Sequence, residues 1–198
     1  MIDGRRHVVF DLDGTLTVAV HDFAAMKRAL DLPPELPILE ALAGLDPPER
    51  RARRARLDAI EAEIAGRGQA APGARELLEH LRGGSRRVGI VTRNTKPNAA
   101  LTLRAAGLDG YFDEADIVGR DEVPAKPAPD GIHYLLRRWS AQPADAMMVG
   151  DYRFDLEAGR AAGVMTVLVR AGPAPDWGRG ADVYAGSLVD LLEAAARG

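Results

Sequence analysis

Short apolar runs alternate along the chain with segments of helical periodicity. The runs are His7–Phe10, Val88–Val91, Ala146–Val149 and Val164–Val169, with a weaker one at Asp116–Val118. A continuous apolar run of this length is typical of a strand that is buried on both faces. Strands that alternate with helices predict an α/β fold, a doubly wound (Rossmann-like) parallel sheet with helices on both faces.

Five segments between and after these runs have apolar side chains at helical spacing. They are Pro72–Arg82, Lys96–Ala106, Pro129–Trp139, Tyr152–Ala162 and Ser187–Ala196. Gly107 and Gly163 directly follow two of them, and glycine is the residue most often found just past a helix end. These boundaries predict the helices that connect the strands of the sheet.

The alternation is interrupted between residues 18 and 71, where no apolar run indicates a strand. Asp22–Leu30 has the spacing of one helix, and Asp46–Ala65 predicts a longer helix with an aspartate N-cap followed by proline. We therefore predict a small helical cap of residues 18–71, inserted into a core domain of residues 1–17 and 72–198.

Composition excludes several function classes. The chain of 198 residues has a formal net charge of -3, which gives no electrostatic reason to expect a nucleic acid partner. No window approaches the ~20 apolar residues of a membrane span, so no membrane association is expected. The absence of cysteine excludes a thiolate metal site. We expect a cytoplasmic protein, and the sequence leaves its oligomeric state open.

Polar residues follow the predicted strands at the edge where parallel strands end. They are Asp11 and Asp13, Thr92, Lys126, and Asp151 with Asp155. Ligands of open α/β sheets bind in the crevice at this edge. Two unit charges about 4 Å apart at an effective dielectric constant near 20 repel by about 4 kcal/mol, so clustered carboxylates stay ionised only beside a cation. Oxygen ligands suit Mg²⁺, and the cation together with Lys126 would hold a phosphate group.

The same residues occur in four short motifs: Asp11-Leu-Asp-Gly-Thr-Leu16, Val91-Thr92, Lys126-Pro127 and Gly150-Asp-Tyr-Arg-Phe-Asp155. In these motifs and their order, the chain resembles the haloacid dehalogenase superfamily. The resemblance is to the helical-cap branch, which includes phosphoglycolate phosphatase and β-phosphoglucomutase. It implies a magnesium-dependent phosphatase that hydrolyses a small phosphorylated metabolite through an aspartyl-phosphate intermediate.

The resemblance also implies a role for each catalytic residue. Asp11 is expected to attack phosphorus as the nucleophile. Asp13 is expected to protonate the leaving oxygen and then to accept a proton from the hydrolytic water. Thr92 and Lys126 are expected to bind the transferring phosphoryl group.

The implied metal ligands are Asp11, the main-chain carbonyl of Asp13, and Asp151. Asp155 is expected to support the site through water or by orienting the lysine. Arg93 follows the second motif directly, and we include it among the phosphate-binding candidates, although it could instead face solvent.

Two features of the predicted cap have competing interpretations. The five arginines between Arg50 and Arg56 alternate with acidic residues, which is typical of a solvated helix face. One of them could still reach the crevice and bind a second anionic group. His21 and Asp22 could cap a helix or could contact the substrate when the cap closes.

Three other functions share parts of this pattern. A phosphomutase of the β-phosphoglucomutase type would use the same fold and return the phosphoryl group to a sugar. A true dehalogenase needs no metal, so Asp13 and the Asp151 cluster would be unexplained. A non-enzymatic phospho-acceptor domain, such as a response-regulator receiver, also combines acidic residues with a Thr and a Lys. Receivers are much shorter, and their lysine follows the acidic cluster, whereas Lys126 here precedes Asp151.

Overall fold

A computed structural model describes residues 4–196, and within them six strands form one parallel sheet. The predicted core residues 1–3 and 197–198 lie outside this range. The strands are β1 His7–Phe10, β2 Arg87–Val91, β3 Ile117–Val118, β4 Ala146–Gly150, β5 Met165–Val169 and β6 Val183–Ala185. The first five lie where the apolar runs predict them, and β6 was not predicted.

The strand order β3-β2-β1-β4-β5-β6 makes β1 a central strand. His7 of β1 is in register with Arg87 of β2 on one side and with Ala146 of β4 on the other. The chain therefore winds first in one direction from β1 and then in the other. This is a doubly wound sheet, which confirms the predicted fold, and the reversal beside β1 creates a crevice at the carboxyl ends of the strands.

Eight α-helices surround the sheet within the described residues. They are α1 Phe23–Ala29, α2 Ile38–Ala43, α3 Pro47–Ala65, α4 Ala74–Gly83, α5 Lys96–Ala106, α6 Asp130–Trp139, α7 Arg153–Ala161 and α8 Leu188–Ala196. All except α2 agree with the predicted segments to within two residues. None of these helices combines the length and apolarity needed to cross a lipid bilayer.

Two apolar layers cover the faces of the sheet. Side chains of α4, α5 and α8 pack with Phe10 and Ile90 in one cluster. Side chains of α6 and α7 pack with Val9 and Met148 in the other. Neighbouring residues of a strand point to opposite faces of the sheet. Because both faces are covered by apolar layers, the central strands consist mainly of apolar residues, and this is why the sequence predicted them.

Helices α1–α3 share a separate apolar cluster that includes Met26, Leu42 and the fully buried Leu57. The chain enters and leaves these helices side by side. The amide of Val18 donates to the carbonyl of Gln69, and that of Ala71 donates to the carbonyl of Leu16, each at 2.9 Å. A separate cap requires an apolar cluster of its own and two neighbouring chain connections, and helices α1–α3 have both. The division of the chain at residues 18 and 71 stays a prediction.

Candidate active site

A pocket of about 370 Å³ opens at the carboxyl ends of β1, β2 and β4. Residues of the inserted helices cover it from the opposite side, among them Phe23, Ile38 and Glu61. All seven predicted site residues line it: Asp11, Asp13, Thr92, Arg93, Lys126, Asp151 and Asp155. The pocket therefore lies where the doubly wound topology predicts a ligand site.

The loop after β1 brings two acidic segments from distant parts of the chain together. Gly14 has φ +92°, a left-handed conformation that side chains rarely adopt. A Cβ at this position would lie 2.8 Å from Oδ2 of Asp151. Glycine is therefore required both by the turn and by the close approach of Asp151, which lies just after β4.

Lys126 connects two of the carboxylates. Its side chain is 1% exposed, and its ammonium donates to Asp11 Oδ1 and to Asp155 Oδ1, each at 2.6 Å. Burial alone would lower the pKa of Lys126, but the charges of Asp11 and Asp155 outweigh burial and raise it. The lysine is therefore a fixed positive charge at the floor of the pocket.

The structure brings the side chains of Asp11, Asp151 and Asp155 together as a candidate metal site. One oxygen from each lies within 4.8 Å of the others. Burial and the neighbouring carboxylates Asp11 and Asp155 raise the pKa of Asp151 to about 7. Burial likewise raises the pKa of Asp155 to about 6 and raises that of Asp11. These carboxylates resist ionisation in the absence of a further positive charge.

Asp155 makes its contacts within the protein. One oxygen accepts from Lys126, and the other accepts from the amide of Tyr152 at 3.0 Å at the start of α7. Both oxygens are thereby engaged, which fits the predicted supporting position better than direct metal ligation. Asp11 and Asp151 also line the pocket.

Asp13 is largely buried, and burial raises its pKa to about 6, although a hydrogen bond with Asn94 opposes the shift. His21 Nδ1 lies 4.0 Å from Asp13 Oδ1. Burial lowers the pKa of His21, so the imidazole is neutral at physiological pH. A carboxyl group that titrates near neutrality suits proton transfer in both directions.

The loop after β2 is held by its own polar side chains. Thr92 is 2% exposed, and its hydroxyl accepts from the amide of Asn94 at 3.0 Å. Oδ1 of Asn94 accepts from the main-chain amide of Thr95 and from the side-chain amide of Asn98, at the start of α5. The threonine hydroxyl is therefore held at the pocket wall beside Lys126.

Comparisons with known proteins agree with this geometry. Residues 6–163 match the haloacid dehalogenase-like hydrolase family. The chain belongs to this family. A haloacid dehalogenase-like hydrolase domain-containing protein of Arabidopsis thaliana is 33% identical over 83% of this chain and 70% of its own length. The phosphoglycolate phosphatase of Cupriavidus necator is 32% identical, covering 94% of this chain and 90% of the relative.

A solved hydrolase structure from Pseudomonas syringae matches with a TM-score of 0.80 and 25% identity, over 96% of this chain and 98% of the other. The predicted family is thus confirmed, and the prediction of an enzyme of the phosphoric monoester hydrolase class is confirmed with it. The roles of individual site residues stay predictions.

Arg93 of this hydrolase lines the pocket but is already engaged. Its guanidinium donates to both oxygens of Glu40, at 2.9 and 2.7 Å, and to the carbonyl of Lys126. It also stacks over the ring of Phe154, with 4.2 Å between Cζ and the ring centroid. Glu40 therefore holds the guanidinium at the edge of the pocket, and direct phosphate binding by Arg93 stays a prediction.

The pocket residues that sequence reasoning missed are chiefly Arg120, Asn94 and Phe154. Asn94 could have been predicted from the sequence, since it is a polar residue two positions after Thr92 at the end of the same strand. Arg120 could not, because its partners Asp58 and Glu61 are 62 and 59 residues away in sequence. Such pairs form only when the inserted helices meet the sheet.

The inserted helices resolve two of the competing interpretations. Arg50 donates to main-chain carbonyls, whereas Arg53 and Arg54 pair with carboxylates of their own segment. No arginine of this run lines the pocket among residues 4–196. Asp22 caps α1 by accepting from the amide of Ala25 at 2.9 Å, whereas His21 lines the pocket.

Proposed function

We propose that this hydrolase is a magnesium-dependent phosphatase that hydrolyses a small phosphorylated metabolite through an aspartyl-phosphate intermediate on Asp11. The observation that carries the proposal is the buried contact of Lys126 with Asp11 beside Asp151, at the floor of a pocket that also presents Asp13 and Thr92. The relatives named as phosphoglycolate phosphatases support the reaction class.

In the first half-reaction, a carboxylate oxygen of Asp11 attacks phosphorus, and the bond from phosphorus to the leaving oxygen breaks. Asp13 donates its proton to that oxygen, so the product leaves as a neutral alcohol. Lys126 and the hydroxyl of Thr92 hold the non-bridging oxygens while negative charge moves between them.

In the second half-reaction, a water oxygen attacks phosphorus, and the bond to Asp11 breaks. Asp13, now ionised, accepts the proton of this water and is restored to its acid form. The products are phosphate and the free carboxylate of Asp11. A pKa of about 6 lets Asp13 act as acid and as base near neutral pH.

Mg²⁺ would be held by Asp11, Asp151 and the main-chain carbonyl of Asp13. The donor set fits this ion, because it consists of hard oxygens. One carboxylate oxygen of Asp11 and one of Asp151 lie within 4.8 Å of each other, and burial together with the neighbouring carboxylates raises the pKa of Asp151. When bound, the cation supplies positive charge that neutralises the carboxylates and the phosphate dianion.

Helices α1–α3 would act as the cap of this site. They place Phe23, Ile38 and Glu61 over the pocket, so their closure would exclude bulk water from Asp11 before phosphoryl transfer. The paired connections at Val18 and Ala71 would serve as the hinge.

Phosphate release from a panel of small phosphomonoesters tests the proposal. We expect release with Mg²⁺ and its loss when the ion is removed with EDTA, followed by recovery when Mg²⁺ is restored. Absence of phosphate release from the whole panel with Mg²⁺ present would contradict a phosphatase. Sugar-phosphate isomerisation without free phosphate would instead indicate the phosphomutase.

The raised pKa values also predict how stability responds to pH and metal. In the metal-free protein, Asp151 titrates near pH 7 rather than at its ordinary 3.8. Between these values the folded state holds a proton that the unfolded state has released, so the free energy of unfolding falls as pH rises. Mg²⁺ binds the ionised form, so its stabilising effect should be larger at pH 7.5 than at pH 5.5.

Thermal unfolding with Mg²⁺ and with EDTA at both pH values measures this effect. At a concentration of about 100 Kd, Mg²⁺ should raise the Tm at pH 7.5 by about 5–10 °C. Asp151→Asn should remove most of this gain. An equal gain at the two pH values would count against a site built from these carboxylates.

A further inference from the structure

Two arginines in the pocket wall have their charges satisfied by carboxylates of the inserted helices. Arg93 donates to both oxygens of Glu40 on α2, at 2.9 and 2.7 Å. Arg120 lies in the segment after β3, and its guanidinium is bound by carboxylates of α3. These arginines are therefore not available to a second anionic group on a substrate.

The Arg120 cluster is particularly well enclosed. Its guanidinium donates to the two oxygens of Glu61 at 2.9 and 2.6 Å and to Asp58 Oδ1 at 2.8 Å. The side chains of Arg120 and Glu61 are 2% and 10% exposed. To bind Arg120, a substrate carboxylate would have to displace Glu61 and leave its charge buried without a partner, which is strongly unfavourable.

The remaining positive groups of the pocket have other contacts. Lys126 is bound to Asp11 and Asp155 at the floor. The Lys27 ammonium donates to the carbonyl of Pro34 at 2.7 Å, and Glu35 lies in the same part of the lining. The Arg153 guanidinium is exposed and lies 5.0 Å from the ring centroid of Phe154.

In contrast, the outer wall of the pocket is apolar and accessible. Phe23 is 59% exposed and stacks on His21, with ring centroids 5.5 Å apart and planes at 12°. Tyr152 also lines the pocket and is 41% exposed, with its ring against those of Phe154 and Trp177. Ile38 and Leu39 of α2 contribute further apolar lining. Exposed aromatic side chains that converge on one pocket are typical of a ligand contact.

We propose that the leaving group of the substrate is an alcohol with an uncharged apolar or aromatic body, and that it carries no second carboxylate or phosphate. This inference rests on the proposed phosphatase function. The phosphoryl group would lie over Asp11 and Lys126, and the body of the alcohol would contact Phe23 and Tyr152. Because Glu40 and Glu61 neutralise Arg93 and Arg120, neither arginine would attract an additional negative charge on the substrate.

Phenyl phosphate and 4-carboxyphenyl phosphate provide a matched test, because they differ by one carboxylate while their phenols leave with similar ease. With Mg²⁺, we expect kcat/KM for phenyl phosphate to exceed that for the carboxylated ester by about tenfold or more, which corresponds to about 1.4 kcal/mol. Phosphoglycolate and pyrophosphate should also react more slowly than phenyl phosphate.

Two variants connect this preference to the residues named. Glu40→Gln releases Arg93, which could then attract the carboxylate of the charged ester. This variant should therefore raise kcat/KM for 4-carboxyphenyl phosphate, and the kcat/KM ratio between the two esters should fall by about threefold or more. Phe23→Ala should lower kcat/KM for phenyl phosphate by about fivefold through a higher KM, because apolar contact area is lost. The control is Glu63→Gln, an exposed glutamate of α3, which should leave the ratio unchanged.

The possible failures are distinguishable. If neither ester releases phosphate with Mg²⁺, the proposed phosphatase function fails and this inference fails with it. If both are hydrolysed and the carboxylated ester or phosphoglycolate is preferred, the phosphatase stands and the inference is overturned, with Lys27 or Arg153 binding the second anion. An unchanged ratio in Glu40→Gln would overturn the assigned role of Glu40.

Discussion

Asp11→Asn is expected to lower the rate of p-nitrophenyl phosphate hydrolysis by about 10⁴-fold or more, because the neutral amide cannot form the covalent intermediate. The carboxamide has nearly the shape of the carboxylate and can still accept from Lys126, so the fold should persist. Hydrolysis with Mg²⁺ measures the effect, and circular dichroism during thermal unfolding checks the fold.

A matched control for this experiment is Asp109→Asn, an exposed aspartate in the short turn of helix after α5. It makes the same chemical change far from the pocket and should keep full activity. If the Asp11 variant hydrolysed the ester at the rate of the unchanged protein, Asp11 could not be the nucleophile. A folded variant without activity is the result that the proposal requires.

Lys126→Met is expected to produce the largest loss of stability among the site variants. The substitution removes the ammonium from between Asp11 and Asp155 and leaves two buried carboxylates without their partner. Breaking a buried ion pair in this way costs about 3–5 kcal/mol. For a domain of this size the Tm should fall by about 10 °C or more, and phosphatase activity should be lost as well.

The loss of folding stability in Lys126→Met should depend on pH. Burial already raises the pKa of Asp155 to about 6 although Lys126 opposes the shift, and removal of the ammonium should raise it further. A folded-state pKa above the unfolded value means that stability is retained at low pH and is lost as pH rises through the folded pKa. Chemical denaturation at pH 5 and pH 8 should therefore show a larger deficit at pH 8.

Lys96→Met is the control, because Lys96 makes an exposed pair with Glu122 at 3.0 Å. Loss of this pair should cost at most about 1 kcal/mol, with little dependence on pH in this range. Equal losses in the two lysine variants would show that the Lys126 pair contributes no more than a surface contact. The role of Lys126 as the fixed charge of the site would then be wrong.

The parts of the fold that were predictable are those with a local physical signature. Central strands such as β1 and β4 are buried on both faces, so nearly every residue is apolar and the run is recognisable in the sequence. Asp46 was predicted as a helix N-cap, and its carboxylate accepts from the amide of Glu49 at 3.0 Å. Capping, like strand burial, depends on a few neighbouring residues and is therefore readable from sequence.

The elements that were missed lack such a signature. Strand β6 has only three residues, of which Tyr184 is exposed, because it lies at the edge of the sheet. Helix α2 has only six residues and directly follows a stretch with three prolines at positions 33, 34 and 37. An element this short is stabilised by its packing, and Leu42 of α2 is buried in the apolar cluster that it shares with the other inserted helices.

The sequence by itself determined the alternation of strands and helices, and with it the strand ends at which Asp11, Thr92 and Asp151 had to lie. Only the tertiary structure decided which charges meet. The contacts of Lys126 with Asp11, of Arg120 with Glu61 and of Arg93 with Glu40 join residues 53 to 115 positions apart. Periodicity and capping act over a few residues, whereas a charge is neutralised by whichever group folding brings within a few ångströms.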